Sequence, residues 1–323
     1  MQRAIMTATG GPEVIQFETF TLTPPGPGEV QIEQRAIGLN FIDIYHRTGL
    51  YPVPLPSGLG LEAAGVVTAV GQGVTEFKPG DRVAYGSGPI GAYATARNIA
   101  AAKLVPVPDG VSDEQAAAIM LKGGTARYLL KQTYAVKPGD TVLFHAAAGG
   151  VGLIFCQWAK ALGATVIGTA GSPEKLALAR AHGCAHVIDY SREDVAARVR
   201  EVTGGKGVPV VYDGVGQATL MASLDSLSPR GLLVSFGNAS GPVKNFDLGL
   251  LAAKGSLYLT RPTLHSYTAT PEAMRENAAD LFAAVASGMV KVEINQRYKL
   301  LEAARAHAEL GARQTTGSSV LLA

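Results

Sequence analysis

The sequence predicts an α/β protein with two domains, one rich in short β-strands and one built on a doubly wound parallel sheet. Three observations indicate this architecture. An apolar run at residues 141–145 breaks into closely spaced glycines, strand-like and helix-like segments alternate from there to residue 260, and short runs between Pro and Gly clusters fill the first 120 residues. Continuous apolar runs are typical of parallel strands covered on both faces, whereas frequent turns favour a compact β-rich domain.

The β-rich domain is predicted from four short runs near the start of the chain. They span residues 30–36, 65–70, 82–85 and 93–96, with turn-forming clusters such as residues 24–28 and 78–81 between them. From about residue 271 the pattern becomes helical over residues 272–287, with Pro271 as a starting residue and Gly288 as a terminator. Residues 318–322 are expected to form a final strand.

The parallel-sheet domain is predicted from the alternation in the middle of the chain. Predicted strands cover residues 141–145, 163–170, 186–190, 209–213 and 231–237, with an edge strand at 256–260, and predicted helices cover residues 151–162, 174–182, 194–202 and 218–227. Ligands of such sheets bind at the carboxyl ends of the strands. At 323 residues the chain is long enough for two cores, because one hydrophobic core stops growing at roughly 250–300 residues.

A glycine cluster in the pattern AxxGGVG follows the first strand of the alternating region. Gly149, Gly150 and Gly152 permit a tight turn and let backbone amides approach oxygen atoms, and the amino terminus of the next helix attracts negative charge. A purely structural glycine turn is the alternative. The order of strand, glycine turn, helix and strand favours a dinucleotide pyrophosphate site instead.

The residues after the second predicted strand indicate which dinucleotide binds. An NAD site usually offers an Asp or Glu about 20 residues beyond the glycines, where it accepts hydrogen bonds from the ribose hydroxyls. Here residues 170–175 read AGSPEK, so the hydroxyl of Ser172 and the ammonium of Lys175 stand where a carboxylate would repel an added phosphate. This favours NADPH over NADH. Ser172 and Pro173 also suit the N-cap and first position of the next helix, and the two roles are compatible.

Composition and charge exclude several classes of protein. No apolar stretch reaches the roughly 18 residues of a membrane span, and the first residues lack the apolar core of a signal peptide, so a cytoplasmic protein without membrane association is expected. The formal charge is +2 with no dense Lys and Arg cluster, which offers no footprint for nucleic acid. Cys156 and Cys184 are the two cysteines, and both are expected to be small core residues.

Taken together, the motifs resemble one enzyme superfamily. A β-rich amino-terminal part, the AxxGGVG turn and a returning carboxyl-terminal segment are similar to the medium-chain dehydrogenases and reductases. Residues 60–65, GLEAAG, match the pattern that zinc alcohol dehydrogenases write as GHExxG, and LNFID, PSGLG, FHAAAGGVG and VSFGN are further characteristic strings. The resemblance covers essentially the full length. It implies a GroES-like catalytic domain at residues 1–124 and 265–323 and a Rossmann NADPH-binding domain at residues 125–264.

The same resemblance indicates a zinc-independent branch. Zinc-containing members bind the catalytic metal through a Cys, a His and a second Cys or acid, and those positions correspond here to Asn40, Leu61 and Lys122. Leucine cannot ligate a metal, and an ammonium would repel one. With two cysteines in all, the chain also lacks the four-cysteine structural zinc lobe. The chain therefore resembles the zinc-independent quinone oxidoreductases, which include the ζ-crystallins.

A cleft without zinc favours an acceptor that is already reactive. A simple ketone gains little help toward hydride transfer without a Lewis acid, whereas reduction of a quinone produces an aromatic hydroquinone anion that is intrinsically stabilised. The resemblance thus implies an NADPH:quinone reductase, with enals, enones or enoyl thioesters as alternative acceptors. A non-enzymatic role is a third hypothesis, because ζ-crystallins serve as NADPH-binding lens proteins and some relatives bind RNA. The resemblance also implies a homodimer joined edge to edge through residues 255–260.

The acceptor site is predicted to involve four residues, namely Asn40, Asp43, Tyr45 and Tyr51. The resemblance places Asn40 beside the nicotinamide, where its amide is expected to donate a hydrogen to the acceptor oxygen, and the two tyrosines are expected to offer a phenol donor or an aromatic wall. The alternative roles are structural, with Asp43 capping the following turn and the tyrosines packing in the core.

The cofactor contacts implied by the resemblance fall on the glycine turn and near the carboxyl ends of the strands. Gly150 and Val151 are expected at the pyrophosphate, and Asn40 is expected at the nicotinamide. The residues expected around the adenosine phosphate are Ser172, Lys175, Tyr190 and, from the carboxyl-terminal segment, Arg313. The remaining cofactor contacts are expected at Thr125, Tyr128, Gly171, Gly214, Phe236, Gly237, Asn238 and Leu264. The alternatives for the two cations are a solvated helix charge at Lys175 and a surface ion pair at Arg313.

Overall fold

The computed structural model describes residues 1–323, and residue contacts divide the chain into two units. The β-rich unit comprises residues 1–124, 268–286 and 292–323, and the parallel-sheet unit comprises residues 125–267 and 287–291. The boundary drawn from the sequence at residues 264/265 lies three residues before the observed one, and the sequence did not separate residues 287–291 from the carboxyl-terminal segment.

The strands lie in both units and are mostly short. In chain order they are β1 (Gln2–Ile5), β2 (Gln16–Thr19), β3 (Glu29–Leu39), β4 (Ala63–Val70), β5 (Arg82–Tyr85), β6 (Ala96–Ala100), β7 (Val105–Pro106), β8 (Thr141–Phe144), β9 (Thr165–Ala170), β10 (Cys184–Asp189), β11 (Val208–Asp213), β12 (Leu227–Ser235), β13 (Tyr258–Thr260), β14 (Ile294–Lys299) and β15 (Ser318–Leu322).

The α-helices are, in chain order, α1 (Phe41–Thr48), α2 (Asp113–Tyr128), α3 (Gly150–Ala161), α4 (Pro173–Ala181), α5 (Val195–Val202), α6 (Leu220–Ser226), α7 (Gly249–Ala253), α8 (Leu264–Tyr267), α9 (Pro271–Ala286) and α10 (Ala303–Gly311). Short 3-10 turns lie at Pro12–Val14, Ala101–Lys103 and Leu300–Glu302, and a π-helical turn at Leu129–Thr133 follows α2. None of the helices combines the length and the apolar character that crossing a bilayer requires.

Six parallel strands form the sheet of the parallel-sheet unit, in the order β10-β9-β8-β11-β12-β13. The chain runs outward from β8 through β9 to β10 and then crosses to β11 on the other side of β8, so the strand order reverses beside β8. Leu143 pairs with both Ile167 and Val211, and all three side chains are fully buried. The predicted doubly wound sheet is confirmed. In such sheets ligands bind at the carboxyl ends of the strands, beside the point of reversal.

The β-rich unit contains a seven-stranded sheet and a separate two-stranded one. The main sheet follows the order β14-β15-β3-β4-β5-β7, with β6 also paired to β3, and β1 pairs with β2. Strand β15 lies antiparallel to β3, with Leu321 opposite Ile37, so the last strand of the chain completes a sheet begun near its start. Both side chains are buried in the core of this unit, together with Ile32 and Tyr85.

Several elements differ from the expectation. The strand expected at residues 93–96 is wrong, because β6 begins at Ala96 and Ala94 makes only an isolated bridge to Arg3. Gly91, with φ of 117°, turns the chain just before this segment, and hydrogen bonds to other side chains hold Tyr93. The helix expected at residues 218–227 is shorter, and β12 begins immediately after it. Helices α1, α2, α7, α8 and α10 lie where no helix was predicted.

Candidate functional site

The turn between β8 and α3 has the geometry of a backbone cradle. A Cβ atom on Gly152 would lie 2.5 Å from the carbonyl oxygen of Ala147 and 2.8 Å from that of Ala146, so only glycine fits there without moving the backbone. Ala146 itself has φ of 57°, a left-handed conformation that costs a non-glycine residue energy and is often found at binding sites. Gly150 and Val151 are the first residues of α3, whose N–H groups lack intrahelical acceptors.

Three of the four residues predicted around an adenosine phosphate, Ser172, Lys175 and Tyr190, follow the carboxyl ends of β9 and β10. Gly171 follows β9 directly, and a Cβ there would lie 2.5 Å from the phenol oxygen of Tyr190, whose side chain is 45% exposed. Ser172 is the N-cap of α4, and its hydroxyl accepts a hydrogen bond from the backbone N–H of Lys175 at 3.4 Å. Ser172 therefore has the capping role. Two adjacent strands end near this site, with Ser172 and Lys175 following β9 and Tyr190 following β10.

The ends of β11 and β12 form a second close backbone approach. A Cβ on Gly237 would lie 2.2 Å from the carbonyl oxygen of Gly214, and a Cβ on Gly214 would lie 3.0 Å from the ring of Phe236. The Phe236 ring packs 5.8 Å from the ring of Phe144, so this side chain belongs partly to the core. Asn238 continues the same loop and is half-buried.

A buried polar network supports the turn after β11. The carboxylate of Asp213 accepts hydrogen bonds from the backbone N–H groups of Val215 and Gly216 at 2.8 and 3.0 Å, and from the hydroxyl of Ser223 at 2.7 Å. Ser223 in turn contacts Nε2 of His145 at 3.1 Å. Burial lowers the pKa of His145 below its ordinary value, which favours the neutral ring. The network fixes the turn beside Gly214 and connects it to the end of β8.

Three further residues predicted near the nicotinamide half lie in the parallel-sheet unit. Thr125 and Tyr128 are buried in the last turn of α2, and the Tyr128 ring stacks on that of Tyr267 at 4.4 Å. Leu264 is the first residue of α8. Arg313 belongs to the β-rich unit, where it follows α10 with φ of 59° and an exposed side chain.

The four residues predicted at the acceptor lie around α1 in the β-rich unit. Asn40 is the N-cap of α1, and its backbone N–H donates to Oδ2 of Asp43 at 2.9 Å, so Asp43 has the capping contact that the structural alternative requires. Tyr45 is buried, and its ring lies edge-on to that of Tyr51 at 5.1 Å. The structure thus brings these residues together in two contacting pairs.

The side-chain amide of Asn40 is bonded within the protein. Its Nδ2 donates to Oε2 of Glu62 at 2.7 Å and to the carbonyl oxygen of Gly38 at 3.3 Å. The other carboxylate oxygen of Glu62 accepts from the backbone N–H of Leu121 at 2.7 Å, and the Lys122 ammonium lies 3.5 Å from Oε2. Glu62 is fully buried, and that burial raises its pKa although all three partners oppose the rise. We call Asn40, Glu62 and Lys122 the Glu62 cluster.

A second buried chain begins at Asp43. Its Oδ2 accepts a hydrogen bond from the hydroxyl of Tyr93 at 3.0 Å, and that hydroxyl lies 2.9 Å from Nε2 of His307. Burial lowers the pKa of His307 to about 3, so its ring is neutral and can donate from Nε2 to the Tyr93 oxygen. Burial also raises the pKa of Asp43 to about 7. The pKa values of Asp43 and His307 thus lie far from their ordinary values because both side chains are buried.

Asp43→Asn should change how the stability of the protein depends on pH. The folded-state pKa of about 7 lies above the ordinary value of 3.8, so Asp43 contributes stability that is complete below about pH 4 and is lost as the pH rises through about 7. The difference amounts to roughly 4 kcal/mol at most. The neutral amide keeps an oxygen acceptor for Asn40 and Tyr93. Urea unfolding at several pH values should therefore show the unfolding free energy of the variant rising relative to that of the unsubstituted protein between about pH 4 and pH 7. A difference in unfolding free energy that stays constant across this range would contradict the assignment.

The residues at the zinc-ligand positions of related enzymes present an amide, a hydrocarbon and an ammonium. Asn40 and Lys122 meet at Glu62, and the half-buried Leu61 precedes Glu62 in the chain. No group of three or more His, Cys, Asp or Glu side chains is arranged to hold a metal ion. The donors of this set suit an anionic oxygen better than a cation.

The sequence analysis did not assign roles to Glu62, Asp213, Tyr93 or His307. Their partners are distant in the sequence, for example 22 residues for the contact between Glu62 and Asn40 and 214 residues for that between Tyr93 and His307. One local signal existed for Glu62. A single carboxylate stands in the otherwise apolar run LEAAGVV at residues 61–67, and such a residue is buried in a strand only when it is hydrogen-bonded.

Two protein families match different parts of the chain. Residues 26–109 match the alcohol dehydrogenase GroES-like domain, and residues 150–284 match the family described as zinc-binding dehydrogenase. The first match lies within the β-rich unit, and the second covers most of the parallel-sheet unit.

Individual relatives are similar along almost the whole chain. The quinone oxidoreductase of Pseudomonas aeruginosa is 61% identical over 322 residues and covers 99% of each chain. A 2-haloacrylate reductase of a Burkholderia species is 48% identical over 330 residues, covering 99% of this chain and 98% of the relative. The crystal structure of Escherichia coli quinone oxidoreductase complexed with NADPH is 53% identical, covers 100% of both chains and superimposes with a TM-score of 0.98. The similarity therefore includes both units.

Proposed function

The chain belongs to the zinc-independent quinone oxidoreductases of the medium-chain dehydrogenase/reductase superfamily, and on this premise we propose that it reduces quinones with NADPH. The observation that carries the proposal is the chemistry at the end of β9. There the chain offers a hydroxyl at Ser172 and an ammonium at Lys175, and β9 itself ends in Ala170 without a carboxylate. The relatives named for quinone reduction, one of them bound to NADPH, support the same conclusion.

The residues of the parallel-sheet unit fit a phosphorylated dinucleotide. The close backbone contacts at Gly152 leave a concave turn beside the free N–H groups of α3, which suits a pyrophosphate. Gly171, Ser172 and Lys175 would hold the adenosine phosphate, with the exposed phenol of Tyr190 beside them. The rest of the cofactor would contact Thr125, Tyr128, Gly214, Phe236, Gly237, Asn238 and Leu264. We also propose Arg313 as a contact of the adenosine phosphate. NADPH supplies a hydride when it is bound.

The β-rich unit would provide the acceptor contacts. We assign this role to Asn40, Asp43, Tyr45 and Tyr51. Asn40 Nδ2 is 2.7 Å from Glu62, so the amide is oriented by a buried carboxylate, and Asp43 fixes the backbone at the start of α1. The paired rings of Tyr45 and Tyr51 offer a flat aromatic surface that suits a planar quinone. Both hydrogens of the Asn40 amide are already donated, to Glu62 and to the carbonyl of Gly38, so the expected donation from this amide to the acceptor oxygen is not supported. Asn40 and Asp43 would instead fix the start of α1, and the tyrosines would position the acceptor and donate from their phenols.

Steady-state rates with a panel of acceptors test this function. We expect NADPH oxidation with 1,4-benzoquinone and 9,10-phenanthrenequinone to be at least about tenfold faster than with a simple enone, because quinone reduction needs little electrophilic help. The same panel with NADH should give much lower catalytic efficiency. Tight NADPH binding without turnover on any quinone would contradict the proposal and would favour a non-enzymatic, cofactor-binding role.

A second acceptor class is supported by one relative. The Burkholderia 2-haloacrylate reductase is 48% identical to this chain, and a 2-haloacrylate is a conjugated, electron-poor acceptor like a quinone. The ammonium of Lys122, which lies beside Asn40 at Glu62, would attract its carboxylate or its developing negative charge. Including 2-chloroacrylate and an enoyl thioester in the panel separates the two classes, because a chain specialised for conjugated acids would reduce these faster than any quinone.

We also propose a cytoplasmic homodimer. Strand β13 is the outermost strand of the parallel sheet and pairs only with β12 along the sheet order. Its residues Tyr258 and Leu259 are 62% and 39% exposed, so an apolar edge with free backbone groups is available for a second copy. The edge lies in the segment from residue 255 to residue 260 that the family resemblance implies for dimer formation.

A further inference from the structure

The ammonium of Lys122 is buried without a close hydrogen-bond partner. The side chain is 8% exposed, Nζ lies 3.5 Å from Oε2 of Glu62, and no acceptor satisfies Nζ at normal hydrogen-bond geometry. An ammonium carries three N–H donors, and leaving them unsatisfied away from water is costly. Where such a group persists, an acceptor from outside the protein, either a ligand or a water molecule, completes its hydrogen bonding, or the group serves catalysis.

Other contacts hold the carboxylate of Glu62, and its Oε2 stays 3.5 Å from the Lys122 ammonium. Oε1 accepts from the backbone N–H of Leu121, and Oε2 accepts from Nδ2 of Asn40, both at 2.7 Å. The carboxylate also packs against Gly38, where an added Cβ would lie 2.0 Å from Oε2. A buried ion pair that serves stability alone needs close hydrogen bonds to offset desolvation. Glu62 has such bonds but the Lys122 ammonium lacks them, so the geometry of the pair points to a role in binding or chemistry.

We propose that Lys122 is the general acid of the quinone reduction, and that Glu62 is its fixed counter-charge. This inference rests on the proposed function and adds to it the source of the proton. Addition of a hydride to a quinone gives a hydroquinone anion, with one oxygen still lacking a proton. The N–H bond of the Lys122 ammonium breaks, an O–H bond forms on that oxygen, and the electron pair stays on nitrogen. The neutral amine then takes a proton from water.

Other buried acidic groups in the β-rich unit are less suitable donors. The hydroxyl of Tyr93 already lies between Asp43 and His307, and burial raises its pKa well above the ordinary value. Oδ2 of Asp43 accepts from both Tyr93 and the backbone of Asn40, and Oδ1, although it has no hydrogen-bond partner, belongs to a side chain with no exposure at all. Lys122 differs from both, because its donors are unused and it shares Glu62 with Asn40, the residue proposed at the acceptor.

The test uses two variants of the full-length protein. Lys122→Met combined with Glu62→Gln removes both charges. No unpaired carboxylate is then left buried, and its desolvation does not destabilise the fold. Lys122→Arg keeps a positive charge but places there a guanidinium that does not release protons at accessible pH. Arg82→Met is the matched control, because it breaks an ion pair with Asp113 in the same unit, away from the Glu62 cluster.

The readout is the rate of quinone reduction, at saturating NADPH, across substituted benzoquinones whose hydroquinones differ in acidity. The tetrachloro compound yields a weakly basic anion that needs no donor, whereas the tetramethyl compound yields a strongly basic one. For the double variant and for Lys122→Arg, we expect the loss relative to the unsubstituted protein to grow from a few-fold with the tetrachloro compound to about 100-fold or more with the tetramethyl compound. The control variant, Arg82→Met, should reduce every quinone at a rate close to that of the unsubstituted protein.

Two results would overturn the assignment of Lys122. A loss that is equal for every quinone would show that the residue only supports the structure, and full activity of Lys122→Arg would show that charge, and not proton release, is what the site needs. Failure of the proposed function has a different signature. In that case the unsubstituted protein itself would show no turnover with any of the quinones.

Discussion

Gly152→Ala should weaken NADPH binding by about 100-fold, or ~2.8 kcal/mol. The expected loss follows from the backbone, because the new Cβ would lie 2.5 Å from the carbonyl oxygen of Ala147 and 2.8 Å from that of Ala146. Neither atom can rotate away as a side chain would, so the turn must open. Opening it moves the first N–H groups of α3 from the positions in which they would bind the pyrophosphate. Isothermal titration calorimetry with NADPH measures the change in the dissociation constant.

Gly249→Ala provides a matched control in the same unit. Gly249 begins α7, and a Cβ there would lie 3.1 Å from a side-chain oxygen of Asp247, which can move. This variant should bind NADPH as tightly as the unsubstituted protein. If Gly152→Ala retained the same affinity as this control, the turn after β8 would tolerate a side chain, and the assignment of the pyrophosphate to it would lose its support.

The parallel sheet could be predicted because its signals are local. The apolar run before Gly149 and the glycines that follow determine β8 and α3, and the observed elements lie within two residues of the predicted ones. The same holds for β15, which spans the predicted residues 318–322. Strands β8 and β15 each contain three consecutive apolar residues, α3 is mostly apolar, and glycines mark the turn between β8 and α3, so neighbouring residues suffice to indicate these elements.

One error occurred where distant residues decide the conformation, and another where a local signal was overlooked. Residues 93–96 carry a strand-like pattern, yet Tyr93 is fixed by contacts with Asp43 and His307, and the true strand β6 forms further along because it pairs with β3. Helix α1 was missed because its residues, FIDIYHRT, were read for their chemistry and their helical period was overlooked. The start of this helix is fixed by the contact between Asn40 and Asp43. An Asn followed three residues later by an acidic residue is a local capping signal from which the helix could have been predicted.

The candidate site divides in the same way. The glycine turn and the residues after β9 could be found from spacing, because phosphate recognition relies on backbone close to a helix start. The Glu62 cluster could not be found this way, because Asn40, Glu62 and Lys122 come from three separate elements and meet only in the folded β-rich unit. Sequence reasoning identified two of its members through family resemblance and overlooked the carboxylate that connects them.

Lys175→Glu should reverse the preference between the two nicotinamide cofactors. Lys175 lies in the first turn of α4, where its backbone N–H is bound by Ser172, so its side chain starts from a fixed point next to Gly171. Exchanging an ammonium for a carboxylate removes an attraction to the adenosine phosphate and adds a repulsion. We expect the Kd for NADPH to rise by about 100-fold, or ~2.8 kcal/mol, and the Kd for NADH to change by less than about threefold. Competition binding with both cofactors measures the two constants.

Lys160→Glu makes the same change of charge in the same unit and serves as the control. Lys160 is exposed in the last turn of α3, at the opposite end from the glycine turn, and its substitution should leave both dissociation constants within about twofold, apart from a small loss of helix stability. An equal loss of NADPH affinity in both variants would indicate a long-range effect of net charge. A loss confined to Lys175→Glu but equal for NADPH and NADH would place the residue at the pyrophosphate. Only a loss restricted to Lys175→Glu and to NADPH assigns this ammonium to the added phosphate.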